Sequence, residues 1–129
     1  MNLLLDTNII IDWYTNGPSI PFLEQKINQD DVELSTSVIC AIEFLSKAKE
    51  KEQQSFSSLI SSNEITLYSL SGINSAFNIA IICQKTGLKI PDAIILYTAS
   101  KNNCLLVTRD KELYQKGHQI CSIELIASM

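Results

Sequence analysis

A run of three leucines, residues 3–5, is followed at once by the polar sequence Asp6-Thr7-Asn8. Three consecutive large aliphatic residues are typical of a strand that helices cover on both faces, as in parallel sheets. The first polar side chain after such a strand lies where the chain leaves the core, at the carboxyl edge of the sheet. Because ligands of open α/β sheets bind outside that edge, Asp6 is predicted either to cap the next helix or to begin a binding site.

A second apolar run ends in the same way. Leu105-Leu106-Val107 is followed by Thr108-Arg109-Asp110. If the two strands are parallel, their ends bring two carboxylates and two hydroxyls to one crevice. For Asp110 the structural alternative is again a cap, in this case of a short helix around Leu113.

Segments with strand-like and helix-like patterns alternate along the chain. The predicted strands are residues 3–5, 32–34, 65–70, 104–107 and 119–123. The predicted helices are residues 8–14, 20–28, 38–45, 56–60, 72–87 and 90–102, with a last one around residue 113. Residues 35–37 are expected to cap the third helix and residues 47–54 to form its solvated end. The alternation predicts an α/β fold with helices on both sides of a central parallel sheet, and it leaves the strand order open.

The composition fits one ordinary globular domain spanning residues 1–129. Hydrophobic residues make up 46% of the sequence and charged residues 19%, enough for a substantial core. No apolar stretch approaches the roughly 18 residues that cross a membrane, and Asp6 comes too early for a signal peptide. The four cysteines lack the spacing of zinc sites or disulfide frameworks, and we expect them to be reduced. These features predict a cytoplasmic protein with no membrane contact.

The net charge by itself argues against binding of nucleic acid. Ten Lys and Arg face fourteen Asp and Glu, which gives a formal charge of −4, whereas phosphate contacts normally come from a basic face. If four of the fourteen acids form a metal site, the remaining ten balance the ten basic residues. Bound divalent cations would then make the local field positive. The charge therefore does not exclude a nucleic-acid substrate.

Glu43 is an anomaly, because it is the single acid in the apolar run of residues 38–45. Burial of an unpaired carboxylate is costly, so Glu43 is expected to be paired, protonated or bound to a cation. The structural alternative is an ion pair with Lys47, one helical turn further on, on a face that reaches solvent.

Asp92 follows Pro91 at the start of an apolar helix. Proline costs little there, and the helix dipole favours an acid even where it has no function. With Asp6, Glu43 and Asp110 it nevertheless makes a set of four acids, three of them at predicted element ends. Together the four favour one site over four unrelated structural roles.

The remaining polar groups are interpreted as surface residues. The acids in this class are Asp12, Glu24, Asp30, Asp31 and Glu33. Lys89 and Arg109 are read as solvated charges, with a phosphate contact as the alternative. His118 is the only histidine, and its predicted place in a surface turn disfavours a histidine-based nuclease or a serine triad.

On these residues the chain resembles the PIN-domain family, and most closely its small bacterial toxins of the VapC type. The matching motifs are Leu5-Asp6-Thr7-Asn8, the in-helix Glu43, Pro91-Asp92-Ala93 and Val107-Thr108-Arg109-Asp110. Their order and spacing extend the resemblance over essentially the whole chain. It implies a PIN-like three-layer α/β/α fold and an Mg²⁺- or Mn²⁺-dependent endoribonuclease. It also implies an RNA substrate, an antitoxin protein as partner and a homodimer.

The resemblance assigns roles to particular residues. The metal-binding and catalytic carboxylates become Asp6, Glu43, Asp92 and Asp110, and the groups that position them or the substrate become Asn8 and Thr108. The chemistry agrees, since clustered carboxylates raise one another's pKa and a hard divalent cation relieves that repulsion. Such a cation activates water and stabilises charge on a scissile phosphate.

Two other classes of function stay open. A phosphoryl-transfer domain, such as a receiver or a haloacid-dehalogenase-like phosphatase, also places an Asp at a strand end with Mg²⁺. Asp6-Thr7-Asn8 supplies neither the paired acids of the first nor the Asp-x-Asp of the second. A non-enzymatic, degenerate PIN-like module would instead use its apolar helices to hold a partner or a second copy.

Overall fold

The computed structural model describes residues 1–29 and 31–127, so the predicted solvation of Asp30 lies outside the described residues. The strands are β1 Asn2–Leu5, β2 Glu33–Ser37, β3 Ile65–Tyr68, β4 Leu105–Thr108 and β5 Ile123–Leu125. The helices are α1 Thr7–Thr15, α2 Ile20–Ile27, α3 Val38–Leu45, α4 Glu50–Ser61, α5 Ile73–Thr86, α6 Ile90–Lys101 and α7 Lys111–Gly117. None of these helices is both long and apolar enough to cross a membrane.

The five strands form one parallel sheet in the order β3-β2-β1-β4-β5. In the central strand β1, Leu3, Leu4 and Leu5 are all buried, so helices cover both of its faces. This confirms the predicted α/β fold with a central parallel sheet flanked by helices. The chain runs outwards from β1 through β2 to β3 and then returns to β4 on the other side. The strand order therefore reverses between β1 and β4, where ligands of doubly wound sheets bind.

The prediction for residues 35–37 was wrong in part, because they complete β2. The Ser35 hydroxyl donates to the Leu3 carbonyl at 3.0 Å, and the Thr36 hydroxyl donates to the Leu5 carbonyl at 2.8 Å. These bonds let polar side chains occupy a buried strand. Of the three, only Ser37 caps α3, by accepting hydrogen bonds from the first turn of that helix.

Two further boundaries differ from the prediction. Residues 50–61 form α4 instead of a solvated end of the third helix, because Phe56 anchors it against Phe44 with ring centroids 5.1 Å apart. The last strand begins at Ile123 rather than at residue 119, since the amides of Ile120 and Cys121 still donate to the Gly117 carbonyl.

The surface assignments hold for most of the charged residues. Those that are exposed as predicted are Glu24, Asp31, Glu33, Lys89 and His118. The four cysteines are free, with Cys40 and Cys104 buried.

Candidate metal centre at the carboxyl edge of the sheet

The ends of β1 and β4 meet at the reversal point of the sheet. Leu5 pairs in register with Val107, and the Asp6 amide donates to the Val107 carbonyl at 3.0 Å. The next residue of β4, Thr108, donates its hydroxyl to Asp6 Oδ2 at 2.6 Å. The two predicted strand ends therefore do share one edge, with Asp6 buried between them.

Asp6 both caps a helix and faces this edge. Its Oδ1 accepts a 2.8 Å hydrogen bond from the Thr7 amide at the start of α1. Its Oδ2 accepts the Thr108 hydroxyl, and the Asn8 side-chain amide lies further away at 3.4 Å. Each oxygen of the Asp6 carboxylate thus accepts one short hydrogen bond. Its second lone pair faces only a longer contact, such as the 3.8 Å contact from Cys40 Sγ to Oδ1.

Burial is the main cause that raises the pKa of Asp6 above its ordinary value. The hydrogen bonds from Thr108 and Thr7 act in the opposite direction, and the negative charges of Asp110 and Glu43 add to the rise. The carboxylates of α3 and of the chain after β4 therefore lie within electrostatic reach of Asp6.

Asp92 lies in the first turn of α6, half-buried, where Pro91 occupies the opening turn as predicted. Partial burial, followed by repulsion from Asp110, Asp6 and Glu43, raises the pKa of Asp92 to about 6. Four separate parts of the chain contribute these carboxylates, and the negative charges of the other three act on Asp92.

Asp110 caps α7, the role that was predicted for it as the structural alternative to a place in the site. Its Oδ1 accepts a 3.1 Å hydrogen bond from the Leu113 amide. Its own amide donates to the Thr108 hydroxyl at 3.0 Å, so Thr108 connects Asp110 to Asp6 through a single oxygen. The capping role and the place beside Asp6 are therefore both present.

The premise that Glu43 is buried was wrong, because its side chain is exposed on α3. Its Oε1 accepts a 2.9 Å hydrogen bond from the Thr7 hydroxyl, one residue after Asp6. Apolar neighbours in the sequence had suggested burial, but Ile42 beside it is exposed as well. Glu43 thus reaches the edge from the solvent side.

The interpretation of Asp12 and Arg109 as solvated charges was also wrong. Asp12 is only 2% exposed, and its Oδ2 lies 2.9 Å from Arg109 Nε. Arg109 Nη2 donates to Asp12 Oδ1 at 3.0 Å, and the Ser19 amide donates to Oδ2 at 3.1 Å. A signal was available, because Asp12 lies one helical turn after Asn8 and so shares its face of α1.

The four acids fit a divalent cation in donor type and in charge. Carboxylate oxygens are the ligands that hard cations prefer. Burial is the main cause of the raised pKa of Asp6 and of Asp92, and the smaller part that comes from neighbouring acids is repulsion that a cation would relieve. Within residues 1–29 and 31–127, no group of three or more His, Cys, Asp or Glu side chains is placed so that it could hold a metal ion, and the acids of this edge form an open arrangement. An open arrangement suits Mg²⁺, which keeps several waters and uses one or two carboxylates.

The comparisons with known proteins agree with this architecture. The chain is similar to a toxin–antitoxin complex from Klebsiella pneumoniae, with 25% identity over 98% of this chain and 99% of that chain and a TM-score of 0.73. It shares its fold with VapBC2 from Rickettsia felis bound to a promoter DNA fragment, at 22% identity over 96% and 98% of the two chains and a TM-score of 0.69. VapBC-1 from nontypeable Haemophilus influenzae gives 21% identity, 97% and 98% coverage and a TM-score of 0.70.

No curated protein sequence is significantly similar to the chain. The sequence profile of the PIN domain, however, matches residues 3–119, a range that includes all four acids. This match, together with the parallel sheet and its reversal point, identifies the family of the chain. The chain belongs to the PIN-domain family.

Proposed function

We propose that the protein is an Mg²⁺- or Mn²⁺-dependent endoribonuclease that acts on RNA in the cytoplasm. The observation that carries this proposal is the group of four acids, Asp6, Glu43, Asp92 and Asp110, at one edge of the sheet. Burial, followed by repulsion from the other three acids, raises the pKa of Asp92 to about 6, and a bound cation would relieve the repulsive part. Membership of a family whose toxins are generally nucleases supports the same reaction class.

The four carboxylates would hold the cation, with Asp6 as the central ligand because it is the only one of the four that is fully buried. When bound, the cation supplies activation of water and stabilisation of charge on the scissile phosphate. Thr108 and Asn8 would hold the Asp6 carboxylate in one orientation, through the 2.6 Å and 3.4 Å contacts to Oδ2. No histidine is needed as a general acid or base in this scheme.

The partners follow from the same resemblance. The similar structure from Klebsiella pneumoniae is described as a toxin–antitoxin complex, which supports a role as the toxin of a type II pair and an antitoxin protein that inhibits it. A homodimer is supported by an apolar face of α5, where Ile73 and Phe77, one helical turn apart, are 69% and 65% exposed. Large exposed apolar side chains grouped in this way are typical of interaction surfaces.

The test is cleavage of RNA by the purified full chain with Mn²⁺, with Mg²⁺ and with excess chelator. We expect cleavage that the chelator abolishes. Asp6→Asn and Asp92→Asn should each lower the rate by about 100-fold or more, because each removes a charge that holds the cation. Glu24→Gln is the matched control, since Glu24 is an exposed acid on α2.

Circular dichroism would show whether each variant keeps its fold. Full activity in both folded Asp variants would contradict the metal-site assignment. A parent protein that binds Mn²⁺ and RNA without cleaving would point to a degenerate interaction module. Phosphorylation of Asp6 by a small phosphodonor would point to a phosphoryl-transfer domain.

A further inference from the structure

We propose that Asp12 and Arg109 form a positioning pair that holds Asp110 beside Asp6 and so maintains the cation-binding geometry. The inference rests on the proposed metal site and extends it to two residues that are not ligands. Neither side chain belongs to the four-acid group.

The first support is the position of Arg109 in the chain. It stands between Thr108, whose hydroxyl bonds to Asp6, and Asp110, whose amide bonds to that same hydroxyl. A shift of the backbone at residue 109 therefore moves both neighbours. The connection from β4 to α7 is only two residues long, which leaves little chain to absorb such a shift.

The second support is that α1 holds Arg109 at two points. The Arg109 amide donates to Asn8 Oδ1 at 3.2 Å, and the guanidinium contacts both oxygens of Asp12, at 2.9 Å and 3.0 Å. Asn8 and Asp12 lie one helical turn apart, so they present one face of α1 to the loop. Asp6 is the N-cap of that helix, and the loop is thereby fixed relative to Asp6.

The third support is the rigidity of the acceptor. Asp12 is held by the Ser19 amide, and a Cβ on Gly17 would overlap its carboxylate, so the turn after α1 closes tightly around it. Two-point contact by a planar guanidinium fixes direction as well as distance. Such a clamp opposes the repulsion between the Asp6 and Asp110 carboxylates.

The test compares Mn²⁺ binding by the full-length parent with binding by the variants Arg109→Met, Arg109→Lys and Asp12→Asn. Electron paramagnetic resonance of the free ion measures the binding. Loss of groups that orient metal ligands typically lowers affinity about 10- to 100-fold, and we expect a loss in that range for Arg109→Met. Arg109→Lys keeps the charge but not the planar fork, so it should also bind Mn²⁺ more weakly than the parent. Lys116→Met is the matched control, because it removes the exposed Lys116–Glu112 pair on α7.

A second readout does not depend on the metal. Hydrogen exchange of the Asp110 amide, which is bonded to Thr108, should quicken in Asp12→Asn and Arg109→Met and stay unchanged in Lys116→Met. If Arg109→Met fails to fold, Arg109→Lys and Asp12→Asn carry the comparison.

The outcomes separate this inference from the proposed function. Folded variants that bind Mn²⁺ within twofold of the parent overturn the positioning role and leave the metal site standing. A parent that binds Mn²⁺ but does not cleave RNA overturns the proposed activity and leaves the positioning role testable. A parent that binds no Mn²⁺ overturns both.

Discussion

The Thr108 hydroxyl donates a 2.6 Å hydrogen bond to Asp6 Oδ2 although the two residues are 102 positions apart in the chain. The Thr108 hydroxyl oxygen also accepts a hydrogen bond from the Asp110 amide, and both Asp6 and Thr108 are buried. One hydroxyl therefore satisfies two polar groups of the candidate site and fixes their separation. Buried networks of this kind are costly to break, because each lost partner leaves a group without a hydrogen bond.

Thr108→Val tests this link. Valine keeps the shape of the side chain but removes the short hydrogen bond to Asp6 Oδ2 and the acceptor of the Asp110 amide. We expect a loss of about 2–3 kcal/mol in the free energy of unfolding, measured by chemical denaturation. Thr108→Ser retains the hydroxyl and should lose only about 1 kcal/mol, from the missing methyl group. Equal losses in the two variants would contradict the assigned role of the hydroxyl.

Asp92 predicts a dependence of stability on pH in the absence of divalent cations. Its pKa is raised from 3.8 to about 6 in the folded protein, so the folded state binds the proton more tightly than the unfolded state. The protonated Asp92 therefore adds to the free energy of unfolding. This stabilisation is fully present below about pH 4 and is lost as the pH rises through about 6. The free energy of unfolding should therefore carry a falling contribution from Asp92 between those values.

Asp92→Asn removes that contribution. Because Asp92 is partly exposed and solvent screens its charge, we expect the variant to be more stable than the parent by about 1 kcal/mol at pH 7 and equal to it near pH 4. Thermal denaturation at both pH values measures the difference. A variant less stable than the parent at pH 7 would show that the Asp92 charge is compensated in the folded protein.

Added Mn²⁺ should stabilise the parent protein. A ligand that binds only the folded state stabilises it by about 2.7 kcal/mol when its concentration is 100 times the dissociation constant. The parent should gain stability on titration with Mn²⁺, and Asp6→Asn should gain little. Glu24→Gln serves again as the control, and an equal gain in Asp6→Asn would place the ion elsewhere.

Gly17→Ala should destabilise the fold through Asp12. The Gly17 position has no room for a Cβ, which would meet the Asp12 carboxylate and displace it from Arg109. We expect a loss of about 2–4 kcal/mol, in the range for overpacking combined with a broken buried ion pair. Ser19→Ala is a local control, since the buried Ser19 hydroxyl has no hydrogen-bond partner among the described residues, and its removal should be close to neutral.

The apolar face of α5 predicts the oligomeric state. If this face forms the proposed homodimer, Phe77→Gln should shift sedimentation at micromolar concentration towards the monomer, because loss of an aromatic hot spot costs about 2 kcal/mol or more of binding. Ile27→Gln is the control, since Ile27 is an exposed isoleucine on α2, away from that face. A dimer unaffected by Phe77→Gln would contradict the assignment of this face.

Local patterns in the sequence were sufficient for the class of fold and for the prediction that the strands β1 and β4 end at a shared edge. The leucines of β1 and the apolar run of β4 predicted two buried parallel strands. The polar residues after each run predicted the edge of the sheet at which both strands end. Pro91 and Gly87 marked helix boundaries through their own backbone preferences. These features depend on a residue and its near neighbours, and so they can be read without a structure.

Only the tertiary structure decided which distant groups meet. The order β3-β2-β1-β4-β5 brings Arg109 to Asp12 across 97 residues. Helical periodicity places Asp12 on the same face of α1 as Asn8, but no local pattern identifies Arg109 as its partner. Likewise Glu43 has apolar neighbours in the sequence yet is exposed, because burial depends on what packs against each face of α3. By itself the sequence determined the strands and the acids that end them. The arrangement of those strands, a long-range property of the packed core, decided which charges are paired and which acids lie near one another at the carboxyl edge.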